Sequence, residues 1–153
     1  MRTISLALLL VLGLCGKAHV SQVHLRPQSL QTILSRSRHV VIARHDAKGY
    51  QLEKVLESTE ALKPGMRLHI EDPTTGLYRA IGETIAAGGP VPSPIVESYT
   101  PLNAPLADEP VILFLSIRKA ESDTFFLSLT GAMESMKSLG AVEAAIKESK
   151  RKH

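Results

Sequence analysis

The chain has 153 residues, 44% of them hydrophobic and 22% charged, with a formal net charge of +3, one Cys and no Trp. That length fits one domain and the composition excludes a largely disordered chain. A single cysteine excludes an intramolecular disulfide and any cysteine-rich zinc cluster, whereas the positive balance raises nucleic acid or an anionic membrane as partners.

The N-terminus decides the meaning of that charge. Arg2 precedes an apolar run of 12 residues from Ile4 to Cys15, and Gly16 and Ala18 then stand at positions −3 and −1 of a cleavage after Ala18. A positive start, a short apolar run and a small-residue exit are the layout of a secretory signal peptide. The run is well short of the roughly 20 residues that span a bilayer. Residues 1–18 are expected to direct export to the periplasm or the outside of the cell. Cys15 raises one alternative, an outer-membrane lipoprotein, but a lipidated Cys normally follows a small residue and Leu14 is large. A membrane is a partner only through that lipid. Removing residues 1–18 leaves 16 Lys and Arg against 15 Asp and Glu, a net +1, so most of the basic character belongs to the export signal.

Residues 19–28 read as an N-terminal extension. Ser29 then suits the N-cap of a short helix with Leu30, Ile33 and Leu34 on one face. His39 to His45 is a β-branched run without alternation, which predicts a strand buried on both faces. Asp46 to Gly49 reads as a hairpin loop, with Gly49 supplying a positive φ. In the next strand, Tyr50, Leu52 and Leu56 face opposite to Gln51, Glu53 and Glu57. After the turn at Lys63-Pro64-Gly65, Met66, Leu68 and Ile70 alternate with Arg67, His69 and Glu71 as a half-buried strand. Residues 73–109 hold six of the nine prolines and four of the ten glycines. Within them Leu77, Ile81 and Ile85 predict a helix, capped by Thr74 or Thr75 and stopped by Gly88-Gly89, followed by an extended Pro-rich path. Val111 to Ile117 reads as a central strand and Thr124 to Thr130 as its antiparallel return. Leu139, Val142 and Ile146 mark a C-terminal helix, and residues 148–153 a basic tail.

This order predicts a mainly β fold with flanking helices: one domain over residues 29–147, a small five-stranded OB-like barrel with a short N-terminal helix and a C-terminal helix. The segments from Leu30-Ile33-Leu34 through His39-Val40-Val41-Ile42-Ala43-Arg44, Tyr50 to Leu56, Lys63-Pro64-Gly65, Met66 to Ile70 and Glu109 to Leu115 resemble the inhibitor domain of tissue inhibitors of metalloproteinases and the related netrin-type modules. The resemblance spans about residues 29–130 and implies an OB-like fold and a binding role. Those inhibitors place a disulfide-bonded N-terminal Cys on the protease zinc, and the processed chain has no Cys, so metalloproteinase inhibition does not carry over.

Catalytic signals are sparse. His45-Asp46, with His69 from a neighbouring strand and Glu71, is the nearest approach to a metal-dependent hydrolase, but His-x-x-x-His and His-Glu-x-x-His spacings are absent. His39, His45 and His69 read instead as polar residues of a solvated sheet face, as do Glu53, Glu57 and Glu60. With Phe114 and Phe125 on core faces and a net charge of +1, a nucleic-acid surface is not expected. No cofactor is expected, and enzyme activity is less favoured than binding. Residues 73–109 are the expected partner surface, with Tyr78, Pro92, Pro94, Tyr99 and Pro101 as its contacts. The expected function is a monomeric, exported, non-catalytic module that binds or inhibits an unidentified protein in the cell envelope or extracellular space. The alternative is a structural or accessory envelope component anchored through Cys15.

Overall fold

The computed structural model describes residues 24–89, 94–118 and 123–152, so Cys15, Ala18 and Pro92 lie outside the described residues. In chain order the elements are β1 (His24–Gln28), α1 (Leu30–Arg36), β2 (His39–Asp46), β3 (Gly49–Ser58), β4 (Arg67–Glu71), α2 (Thr74–Ala86), β5 (Ile95–Tyr99), β6 (Val111–Arg118), β7 (Thr124–Leu127), β8 (Met133–Ser135) and α3 (Leu139–Arg151). The molecule is mainly β. Five strands, in the order β2-β3-β4-β7-β6, close into a barrel because β6 pairs back onto β2. Neighbours around the ring are antiparallel except β4 and β7, which are parallel.

The closure follows from the apolar runs. β2 is paired on both edges, by β3 and by β6, and is buried from His39 through Ala43. A strand covered on both faces needs no alternation, which is why Val40 to Ala43 reads as a continuous run. β6 is equally central, with Val111 to Leu115 all buried. The β2–β3 ladder carries register shifts between Val40 and Val41 and between Ile42 and Ala43. These bulges break the alternation of β3, so that Val55, Leu56 and Glu57 are all half-buried rather than facing in opposite directions. The hairpin from β2 to β3 turns on Gly49, at φ +110, and Asp46 Oδ1 accepts the Lys48 N–H at 2.8 Å.

Helices close one side of the barrel. Ser29 Oγ accepts the Thr32 N–H at 3.2 Å at the start of α1, and α1 buries Ile33 completely. α3 adds Val142 and Ile146 to the same core. The expected basic tail is the last turn of α3, which runs through Arg151 and places Lys152 Nζ 2.7 Å from Glu148. Lys150 and Arg151 at this end oppose the negative pole of the helix.

Two local expectations are corrected. His39 is fully buried, not solvated: its Nδ1 lies 2.8 Å from Ser58 Oγ, and its ring stands edge-on to Phe125 at 5.6 Å between centroids. Ser58 Oγ donates its one proton to the Glu60 carbonyl at 2.6 Å, so His39 Nδ1 carries the proton in the His39–Ser58 bond. The strand expected over Thr124 to Thr130 stops at Leu127. Residues 128–132 loop out between β7 and β8, which lie along the same edge of β6, through Gly131 at φ +73.

Outside the barrel, β1 and β5 form a parallel two-stranded ribbon. Residues 24–28 are thus a strand rather than a loose extension. The His24 N–H donates to the Pro94 carbonyl at 3.1 Å, so residues 24, 26 and 28 face β5 while Leu25 and Pro27 face outward. Proline has no N–H, so Pro27 removes a donor from the free edge.

Candidate functional site

The long excursion between β4 and β6 is anchored at both ends on the 128–135 segment, and two acidic residues form the anchors. At its start, Asp72 Oδ1 accepts the Thr74 N–H at 2.9 Å, the Thr74 hydroxyl at 2.6 Å and the Thr130 hydroxyl at 3.2 Å. Asp72 Oδ2 accepts the Gly131 N–H at 3.3 Å. Asp72 therefore caps the first turn of α2 and ties it to the β7–β8 loop.

At the far end, Glu134 is completely buried. Its Oε1 accepts the Tyr99 hydroxyl at 2.5 Å and the Leu102 N–H at 2.6 Å, and its Oε2 accepts the Asn103 N–H at 3.2 Å. Three donors converge on a carboxylate that burial alone would penalise, which is how such a group is tolerated. The backbone adds Tyr99 N–H to the Thr130 carbonyl at 2.8 Å and Ser135 N–H to the Asn103 carbonyl at 3.1 Å. Asn103 Nδ2 reaches Ser138 Oγ at 2.8 Å. Burial first, and the Glu134 carboxylate second, push the Tyr99 hydroxyl well above the ordinary tyrosine range. The ribbon is fastened separately by the Arg36–Glu97 ion pair, which holds the Glu97 carboxyl below its usual range.

The expected contact residues separate on this frame. Tyr78 is 54% exposed on α2. Pro94 and Pro101 are half-buried and flank β5. Tyr99 is corrected: it is 5% exposed, packs edge-on against Phe114, and spends its hydroxyl on Glu134, so it positions the excursion and presents nothing to a partner. Ile85, expected on the apolar face of α2, is exposed instead, as are Ile95, Leu102 and Leu106, to which the sequence assigned no role. For Ile95, Leu102 and Leu106 the signal was present in the sequence, since each follows a proline where no regular core face runs. A cleft of about 390 Å³ is lined by Glu71, Thr75 and Arg79 from β4 and α2 and by Ser116, Phe126 and Leu127 from β6 and β7.

The histidine constellation does not assemble. His45 stacks edge-on against Tyr50 at 4.8 Å between centroids, and Asp46 Oδ2 is 2.5 Å from Arg67 Nη1, the contact that chiefly lowers the pKa of Asp46. His69 is exposed on β4 beside Thr124 of β7. Among the described residues no three His, Cys, Asp or Glu side chains form a metal-holding group. Comparison of the chain with protein-family models, with curated proteins and with solved structures finds no match.

Proposed function

We propose that the chain is an exported, non-catalytic OB-type module, akin to the netrin-type and inhibitor domains it resembles, that binds a protein partner through the excursion between β4 and β6. The observation that carries this reading is the distribution of exposed apolar side chains. Of the seven large apolar residues exposed among the described residues, Tyr78, Ile85, Ile95, Leu102 and Leu106 all belong to the excursion. Apolar side chains exposed singly are ordinary on a protein surface; their concentration in one segment held at both ends favours that segment as the interaction surface. The clamps at Asp72 and Glu134 keep the segment ordered before binding, which lowers the entropy cost of association. The closed barrel and the helix between its third and fourth strands support the OB-type assignment. The periplasm or the extracellular space is the expected location, on the strength of residues 1–18.

Deleting the excursion would be a poor test, because it removes Tyr99 and the two amides that satisfy Glu134. A triple variant, Tyr78→Ser, Ile95→Ser and Leu106→Ser, alters only exposed side chains. Affinity capture from envelope extract with quantitative mass spectrometry is expected to enrich a specific protein on the native chain and lose it on the variant. Equal enrichment on both would place the interface elsewhere.

A further inference from the structure

The cleft beside α2 is separate from the protein-binding surface proposed above, since Tyr78, Ile95 and Leu106 line no part of it. In β7, Phe125 and Leu127 are buried and Phe126 between them is half-buried, so the Phe126 ring points outward from the barrel. Glu71 is the residue opposite Phe126 in the parallel β4–β7 ladder and stands on the same outer face. On the other side, Ser116 Oγ of β6 donates to the Phe126 carbonyl at 3.3 Å. Thr75 and Arg79, one helical turn apart on α2, complete the lining of a cleft of about 390 Å³. That volume lies at the small end of the roughly 300–1,000 Å³ typical of small-molecule sites.

The charges decide what such a cleft can take. Asp72 also lines it, but both of its oxygens already accept donors from the protein. Among the described residues Glu71 and Arg79 are in no ion pair, with each other or with another side chain. We propose that the cleft binds a small zwitterion, a free apolar amino acid, with its carboxylate on Arg79, its ammonium on Glu71 and its side chain against Phe126. A purely anionic ligand such as phosphate would meet two carboxylates and one guanidinium, and a purely cationic one would meet Arg79. A ligand carrying both charges complements both residues, and the planar guanidinium suits a carboxylate in a two-pronged contact. A segment inside a polypeptide has neither terminal charge, so it fits this cleft less well than a free amino acid. Both charged side chains are exposed to water, and the expected affinity is therefore modest, about millimolar.

The test is a titration of the intact protein with L-leucine and L-phenylalanine, followed by amide chemical shifts and repeated with the N-acetyl and carboxamide forms of both. The expected result is saturable shifts at Glu71, Thr75 and Phe126, with affinity about tenfold weaker for either derivative. Arg79→Gln should weaken the free amino acid about tenfold and leave the carboxamide unaffected, and Glu71→Gln should leave the N-acetyl form unaffected. Both residues are exposed, so the variants are expected to melt as the native chain does, and the derivative series needs no variant. An N-acetyl form that binds as well as the free amino acid overturns the proposal in favour of an anion site. A carboxamide that binds as well overturns it in favour of a cation site. No saturable shift from either amino acid at millimolar concentration, or shifts confined to other parts of the chain, also overturns it. The capture experiment on the triple variant changes no residue of the cleft, so the two readings fail separately.

Discussion

Glu134 is the buried anchor of the excursion. Replacing it with Ala leaves the Tyr99 hydroxyl and the Leu102 and Asn103 amides without their acceptor. The expected cost is about 3 kcal/mol in urea unfolding, since bonds to a buried charged group are the expensive ones to lose. Amide hydrogen exchange should show Leu102 and Asn103 losing protection while β2 and β6 keep theirs. Tyr99 gives the same contact a pH signature. The folded state keeps its hydroxyl protonated to higher pH than the unfolded chain does, so this contribution is intact below the ordinary tyrosine value of 10.0 and is lost as pH rises above it. Tyr50, raised by burial, acts in the same direction. Unfolding free energy should therefore fall at alkaline pH, and Tyr99→Phe should make that fall shallower. Little of this was legible from residue types. Tyr99 between prolines reads as a displayed aromatic, and Glu134 falls outside every predicted element. The available sign was its phase, since Glu134 sits two residues from Ala132 and from Met136, on the inward side of a short strand.

The elements divide by how they are held. α2 is legible from its period although only Ile81 of that pattern is fully buried, whereas β2, β3, β4, β6 and α3 announce themselves because each buries its own apolar pattern against the core. β1, β5 and β8 do not. β1 and β5 are ordered by each other and by Glu97, and β8 by the edge of β6, so their own sequences carry no period to read. Proline at position 27 even argues against a strand until the strand proves to be an edge. The loop between β7 and β8 is where the barrel meets the excursion, and its geometry depends on Gly131. A Cβ there would lie 3.2 Å from the Tyr99 carbonyl, in a backbone conformation that L side chains rarely adopt. Gly131→Ala is expected to cost about 1–2 kcal/mol in thermal or urea unfolding. Asp72→Ala removes the cap of α2 and its tie to the same loop, and should cost about 1–2 kcal/mol and expose the first turn of α2 to hydrogen exchange.

The described residues form a closed barrel that carries a clamped excursion. Under the proposed export, residues 1–18 take two of the three net positive charges with them, and the processed protein is expected to begin at His19 without an acyl group, which intact-mass measurement of the purified protein checks. The excursion, and not the barrel wall, is proposed to meet the partner. Site-specific photo-crosslinking in cells tests this most directly, with a photoreactive residue placed singly at Ile95, Leu106, Lys54 or His69, all exposed. A discrete protein adduct is expected from positions 95 and 106 and none from 54 and 69. Adducts from the barrel positions, with none from the excursion, would contradict it.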